Sequence, residues 1–89
     1  MTEVAFGSSF KRAFKRRVKG NGVLEARFWE RLEIFQRNPF DQRLRTHKLS
    51  GRLKNLWSFS IEYDLRVVFS FLEGDRALFV DIGSHEEVY

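Results

Sequence analysis

The chain contains no cysteine. Disulfides and thiolate metal sites are therefore excluded, and the absence fits a reducing compartment. Proline occurs only at Pro39, and histidine only at His47 and His85. No apolar run approaches the roughly 20 residues that span a bilayer, so no transmembrane helix and no membrane partner are expected. The opening residues, Met1-Thr2-Glu3-Val4-Ala5-Phe6, lack a basic segment followed by an apolar stretch. No signal peptide is read there, and a cytoplasmic location is expected. The strong catalytic and nucleotide signatures GxxxxGKS/T, HExxH, paired CxxC and GxSxG are all missing. No cofactor is called for, and no spacing of histidines and carboxylates argues for a metal site.

What the chain has is aromatic bulk and positive charge. Among 89 residues are 10 Phe, 2 Trp and 2 Tyr, so one small domain over 1–89 can build a core without covalent staples. Each such ring buries roughly 150–250 Å². Lys and Arg number 16 against 12 Asp and Glu, a formal charge of +4. That balance suits nucleic acid, an anionic surface or an acidic protein, and also an ordinary solvated basic face.

Glu3 to Phe6 reads as a short strand, followed by Gly7-Ser8-Ser9, whose serines suit a helix N-cap. Phe10, Ala13, Phe14 and Val18 recur at helical spacing, with Lys11, Arg12, Lys15, Arg16 and Lys19 on the other face. Gly20-Asn21-Gly22 breaks this helix. A second helix starts near Val23, carries Leu24, Phe28, Leu32 and Phe35 as its apolar stripe, and ends near Asn38 because of Pro39. The two make an αα-hairpin. Residues 40–55 read as a basic loop containing Arg43, Arg45, His47, Lys48, Arg52 and Lys54, with a short extended piece near His47. Three alternating segments follow. The first carries Trp57, Phe59 and Ile61; the second Leu65, Val67, Phe69 and Phe71; the third Leu78, Val80 and Ile82. Tyr63-Asp64 and Glu73-Gly74-Asp75 supply the turns between them. The fold class is α+β: an N-terminal strand, an αα-hairpin, then a three-stranded antiparallel meander.

In such a meander the Tyr63-Asp64 turn and the end of the last strand share one end of the sheet. Asp64, Arg66 and His85 can converge there, with Tyr89 nearby; His47 joins only if the preceding loop folds back. Such a set suits ribonuclease chemistry. The RNA 2′-OH attacks its own neighbouring phosphate, one group takes the 2′ proton, another protonates the departing 5′ oxygen, and cations stabilise the extra charge on phosphorus. Histidine suits acid or base work at a pKa of about 6.5, and arginine suits phosphate. Each residue also has a plainer role. Asp64 is an ordinary turn residue, Arg66 can pair with Glu62 across the hairpin, and Tyr89 can simply pack at the terminus.

The ordered set His47-Lys48-Leu49-Ser50-Gly51, Trp57-Ser58 to Ile61, Asp64-Leu65-Arg66-Val67-Val68-Phe69 and Ile82-Gly83-Ser84-His85 with Val88-Tyr89 resembles the RelE/ParE toxin superfamily from end to end. It is most similar to the YafQ-like mRNA interferases of type II toxin–antitoxin systems. The resemblance implies the same element order and ribosome-dependent, metal-independent cleavage of messenger RNA to a 2′,3′-cyclic phosphate. It also implies silencing by an antitoxin from the same operon. It matches His47, Asp64 and His85 to catalytic positions, Tyr89 to a functional aromatic and Arg66 to a phosphate-binding arginine. Lys11, Arg12, Lys15, Arg16, Lys19, Arg45, Lys48, Lys54 and Ser60 are the expected RNA-binding residues. Ser60 stands where YafQ-like toxins carry a further histidine. Two rival expectations remain: a ParE-like poison of DNA gyrase, and an inert relative that only binds antitoxin or nucleic acid.

Overall fold

The first helix ends where the backbone must turn left-handed. In the computed structural model, which describes residues 1–53 and 55–89, Gly20 has φ +92°, a conformation that costs glycine little. Asn21 then caps the next helix, its side chain accepting a hydrogen bond from the Leu24 amide at 3.2 Å. These two helices are α1 (Ser8–Arg17) and α2 (Gly22–Arg37), preceded by β1 (Glu3–Phe6). Asn38, next to Pro39, is extended and ends α2 as expected. Beyond them come β2 (His47–Lys48), β3 (Trp57–Glu62), β4 (Leu65–Leu72), β5 (Arg76–Gly83) and a final short helix, α3 (His85–Val88). The loop expected over 40–55 thus holds β2 and two single 3-10 turns, Gln42–Leu44 and Gly51–Leu53.

The strands form one sheet in the order β1-β5-β4-β3-β2. β3, β4 and β5 are the expected antiparallel meander. β1 pairs with β5 in parallel, which makes the sheet mixed. Beyond Phe6 the chain leaves the sheet and α1 takes over the free edge of β5. The Gly7 amide donates to the Phe79 carbonyl at 2.9 Å and the Ser9 hydroxyl to the Val80 carbonyl at 2.6 Å. This corrects the expected capping: Gly7 is the N-cap of α1 without a side-chain bond, and Ser9 serves the sheet edge instead.

The core lies between α2 and one face of the sheet. Phe35 is fully buried and meets Phe59 of β3, Phe69 of β4 and Phe79 of β5 at ring-centroid distances of 4.9, 5.0 and 5.3 Å. One ring thus ties three strands to α2. Strict alternation in β5 fails, because the ladder to β4 shifts between Val68 and Phe69 and leaves Val80 as an extra residue. Ala77 and Phe79 face the core before it and Ile82 after it, whereas the sequence pattern grouped Leu78, Val80 and Ile82. The opposite face is covered in part. Val68 and Ser58 are buried there, and Leu53, Leu56 and Val88 line the same cleft as Val68.

Phe35→Ala is expected to destabilise the fold by about 3–5 kcal/mol, a large share of the roughly 5–15 kcal/mol typical of a domain. Urea unfolding measures this directly. An unchanged midpoint would mean that the four-ring cluster does not hold α2 on the sheet.

Candidate active site

The tight turn between β3 and β4 places Asp64 beside the end of β5. Its Oδ1 accepts from Arg66 Nη1 at 3.4 Å and from the backbone amide of His85 at 3.3 Å. Arg66 is therefore paired with Asp64, two residues back, and not with Glu62 across the hairpin. A second ladder irregularity explains the choice. The β3–β4 register shifts between Ser60 and Glu62, so Glu62 pairs with Leu65 rather than opposing Arg66. Ser60 occupies that place opposite Arg66, and Gly83 flanks Arg66 on its other side.

His85 begins α3. Ser84 caps this turn with a reciprocal box: the Glu87 amide donates to Ser84 Oγ at 3.3 Å and the Ser84 amide to Glu87 Oε1 at 2.7 Å. Arg17 of α1 locks the junction. Its guanidinium lies 3.1 Å from Asp81 and 3.4 Å from Glu87, and it donates to the Ile82 carbonyl at 2.8 Å. A Cβ at Gly83 would lie 2.7 Å from Arg17 Nη1 and 2.9 Å from Glu87 Oε1, so a larger residue would push these two side-chain ends aside. The hydrogen bond from the Ser84 amide, then the Ser84 hydroxyl and the Arg17 charge, hold the Glu87 carboxyl below the usual glutamate range. The His85 ring meets Tyr89 edge to face at 4.6 Å. The sequence signal for α3 is Ser84 followed three residues later by Glu87, a capping-box spacing in a segment too short to show helical periodicity.

His47 reaches the site because β2 pairs with β3, placing His47 opposite Ser58. The preceding turn is firmly built. Leu44 is fully buried, and Asp41 binds Arg43 through the backbone amide at 2.9 Å and the guanidinium at 2.9 and 3.0 Å. The side-chain bond from Arg43 holds the Asp41 carboxyl down to about 2. Arg45 is left-handed at φ 53°, and its carbonyl lies 3.0 Å from His47 Nδ1. A carbonyl only accepts, which assigns a proton to Nδ1; in the neutral ring Nε2 is then the acceptor.

These elements enclose an open cleft of about 620 Å³. Of the residues expected from sequence, Arg45, His47, Ser60, Asp64, Arg66 and His85 line it. Tyr89 does not line the cleft but supports His85. Arg31 and Arg43 also line it and were not expected there; their only signal was positive charge on α2 and in the following loop. The other basic residues lie elsewhere. Lys11, Lys15 and Lys19 flank an apolar groove with Phe10, Phe14 and Trp29. Arg12 and Arg16 line the cleft over Val68. Lys48 is exposed on β2, and Lys54 lies outside the described residues. Among the described residues no group of three His, Asp or Glu side chains is placed to hold a metal ion, and no helix is long and apolar enough to cross a membrane.

A mixed sheet backed by an αα-hairpin matches the fold of the RelE/ParE toxins of type II toxin–antitoxin systems. The family model described as the bacterial toxin of type II toxin–antitoxin system, YafQ, matches residues 2–89, and the chain belongs to that family. YafQ from E. coli superimposes with a TM-score of 0.75 at 13% identity, covering 100% of this chain and 99% of that one. A copper-bound mutant toxin from Helicobacter pylori gives 0.79 at 23% identity with both chains fully covered at 100%. The RelBE2 toxin–antitoxin complex from Mycobacterium tuberculosis gives 0.74 at 13% identity, covering 94% and 98%. At these identities the likeness speaks for the fold. No curated protein sequence is a significant match.

The α3 latch carries a pH dependence of definite sign. Glu87 titrates lower in the folded chain than its unfolded value of about 4.3, so its contribution is full above that value and is lost as pH falls through the depressed one. NMR of the Tyr89 ring protons as pH falls below about 5 should show α3 loosening in the native chain. In Glu87→Gln the looser state should be present throughout and nearly flat with pH. Ring shifts that stay constant in both proteins would remove the latch.

Proposed function

We propose that the chain is a ribosome-dependent endoribonuclease that cuts messenger RNA by metal-independent transesterification and so inhibits translation. The observation that carries this reading is the convergence of His47, Arg66 and His85 on one open cleft, with Asp64 binding both Arg66 and the His85 amide. Membership of the YafQ family supports it.

The cleft residues divide the work as follows. His47, whose neutral ring with Nδ1 donating to the Arg45 carbonyl presents Nε2 as the acceptor, takes the proton of the 2′-OH. The 2′ oxygen bonds to phosphorus and the bond to the 5′ oxygen breaks, giving a 2′,3′-cyclic phosphate and a 5′-hydroxyl. His85, as imidazolium, gives its proton to that 5′ oxygen, while Tyr89 restrains its ring. Arg66 neutralises the non-bridging oxygens, and the Ser60 hydroxyl beside it donates to one of them. Asp64 is a positioning residue: its carboxylate is already engaged by Arg66 and by the amide that anchors His85. Lys48 and the basic face of α1 contact messenger and ribosomal RNA phosphates, and the proposed site of action is the cytoplasm.

Cleavage of a defined messenger on programmed ribosomes, with 5′ ends mapped by primer extension, tests the reading. His85→Ala and His47→Ala should each slow the cut by about 10²–10⁴-fold. An intact chain that cuts nothing, with or without ribosomes, would leave an inert relative or a gyrase poison, and a DNA supercoiling assay separates those two.

The partner is an antitoxin from the same operon, as the RelBE2 complex has for its own toxin. The groove of Phe10, Phe14, Phe28 and Trp29 beside Lys11, Lys15 and Lys19 suits a helix with apolar anchors and acidic flanks. Reversing the three lysines to glutamate should abolish co-purification with the neighbouring gene product at moderate salt while the toxin fold persists. Undiminished co-purification would move the antitoxin to another face.

A further inference from the structure

The cleft holds more positive charge than one scissile phosphate requires. Arg66 serves that phosphate with its charge partly matched by Asp64 at 3.4 Å. Arg43 is fully matched by Asp41 at 2.9 Å. Arg31 and Arg45 are different. Arg31 belongs to α2, yet it lines the cleft, and its side chain is only 21% exposed. Its Nε is buried with no hydrogen-bond partner, its Nη1 reaches the Arg43 carbonyl only at 3.4 Å, and the Glu30 carboxylate is 3.8 Å away. Glu30 lies at that distance from the buried Nε itself, so among the described residues one long ion pair and one weak hydrogen bond are all that engage a guanidinium with five N–H donors, and its remaining donors are left for an anion in the cleft. Arg45 is exposed, and among the described residues no carboxylate lies within ion-pair distance of it. Its left-handed backbone, at φ 53°, is uncommon for a non-glycine residue. That turn is pinned by Leu44 in the core and by Asp41, so the charge of Arg45 is held at the cleft mouth.

We propose that Arg31 and Arg45 form a second phosphate subsite in this cleft, which binds a non-scissile phosphodiester of the RNA strand next to the one that is cut. The proposal rests on the reading of the cleft as an RNA site. A second anchor is what the chemistry needs. In-line attack requires the 2′ oxygen, phosphorus and 5′ oxygen to be aligned, and one ionic contact cannot fix the direction of a flexible strand. Phosphate contacts set register without reading sequence, and a bidentate arginine sets it more tightly than a point charge. A cleft of about 620 Å³ has room for more than one phosphate.

The test uses the full chain and RNA that cannot be cut. The probe is a short 2′-O-methyl RNA carrying one uncharged methylphosphonate linkage, moved through the positions in turn. Binding is measured both free and as the A-site codon on programmed ribosomes. The native chain should lose about tenfold in affinity when the scissile linkage is neutral and again when one adjacent linkage is neutral. Arg45→Asn keeps the left-handed turn, because asparagine tolerates it, and removes the charge. That variant and Arg31→Gln should bind weakly and become indifferent to the adjacent linkage while still sensing the scissile one. The slope of log affinity on log salt should fall by about one per arginine removed. A native chain that senses no linkage but the scissile one, in either format, overturns the subsite. So do arginine variants that still sense the adjacent linkage. Circular dichroism separates misfolding of Arg31→Gln from loss of contact, and Arg45→Asn carries the test if that variant unfolds. Binding that behaves as described without any cleavage by the native chain would leave the subsite standing and remove the nuclease reading instead.

Discussion

A single extra residue, Val80, sets the phase of everything that follows it. Side chains on a strand alternate, so a strand that places Phe79 in the core would also bury Asp81 and expose Ile82. The bulge reverses this. Ile82 enters the core, Asp81 turns outward to Arg17, and Gly83 lies beside Arg66. The chain then leaves the sheet directly above Asp64, whose carboxylate receives the His85 amide. Without the shift, the Arg17 latch would lose one of its two carboxylates to the core, and His85 would start from the wrong face. The candidate site therefore depends on strand register before it depends on any of its own side chains.

The cleft is assembled from four pieces of chain, each held by a different force. The Asp64 turn is covalently short. The α3 turn is held by its own capping box and by Arg17. The Arg45–His47 segment is anchored by buried Leu44 and by the Asp41–Arg43 pair. Arg31 arrives on α2, which the Phe35 ring cluster packs onto the sheet. Polar groups are thus oriented by apolar packing some distance away, which lets a small chain present several cations in one place despite their mutual repulsion.

Charge is divided among separate surfaces. One set of arginines lines the cleft, the α1 lysines flank an apolar groove, and Arg12 and Arg16 border the covered face of the sheet. A net charge of +4 gives no hint of this partition. The polar cleft and the apolar groove share no lining residues.

Much of the fold was legible because it is encoded over short range. The 3.6-residue stripes of α1 and α2, the stop at Gly20, the break at Pro39 and the turns at Asp64 and Gly74 each follow from the conformational limits of a few neighbouring residues. The convergence of Asp64, Arg66 and His85 followed from meander geometry alone. What sequence left undecided involves partners far apart along the chain. In Ala77-Leu78-Phe79-Val80 both alternation phases are apolar, so only packing against Phe35 and Phe69 selects which residues face inward. The parallel pairing of β1, the arrival of His47 through β2 and the approach of Arg31 to the cleft likewise depend on hydrogen bonds and contacts between distant segments. Sequence determined most of the elements and most of the polar groups that line the cleft. Tertiary structure decided which face each element shows, because side-chain direction is set by register, and register is settled only when the whole sheet closes on its core.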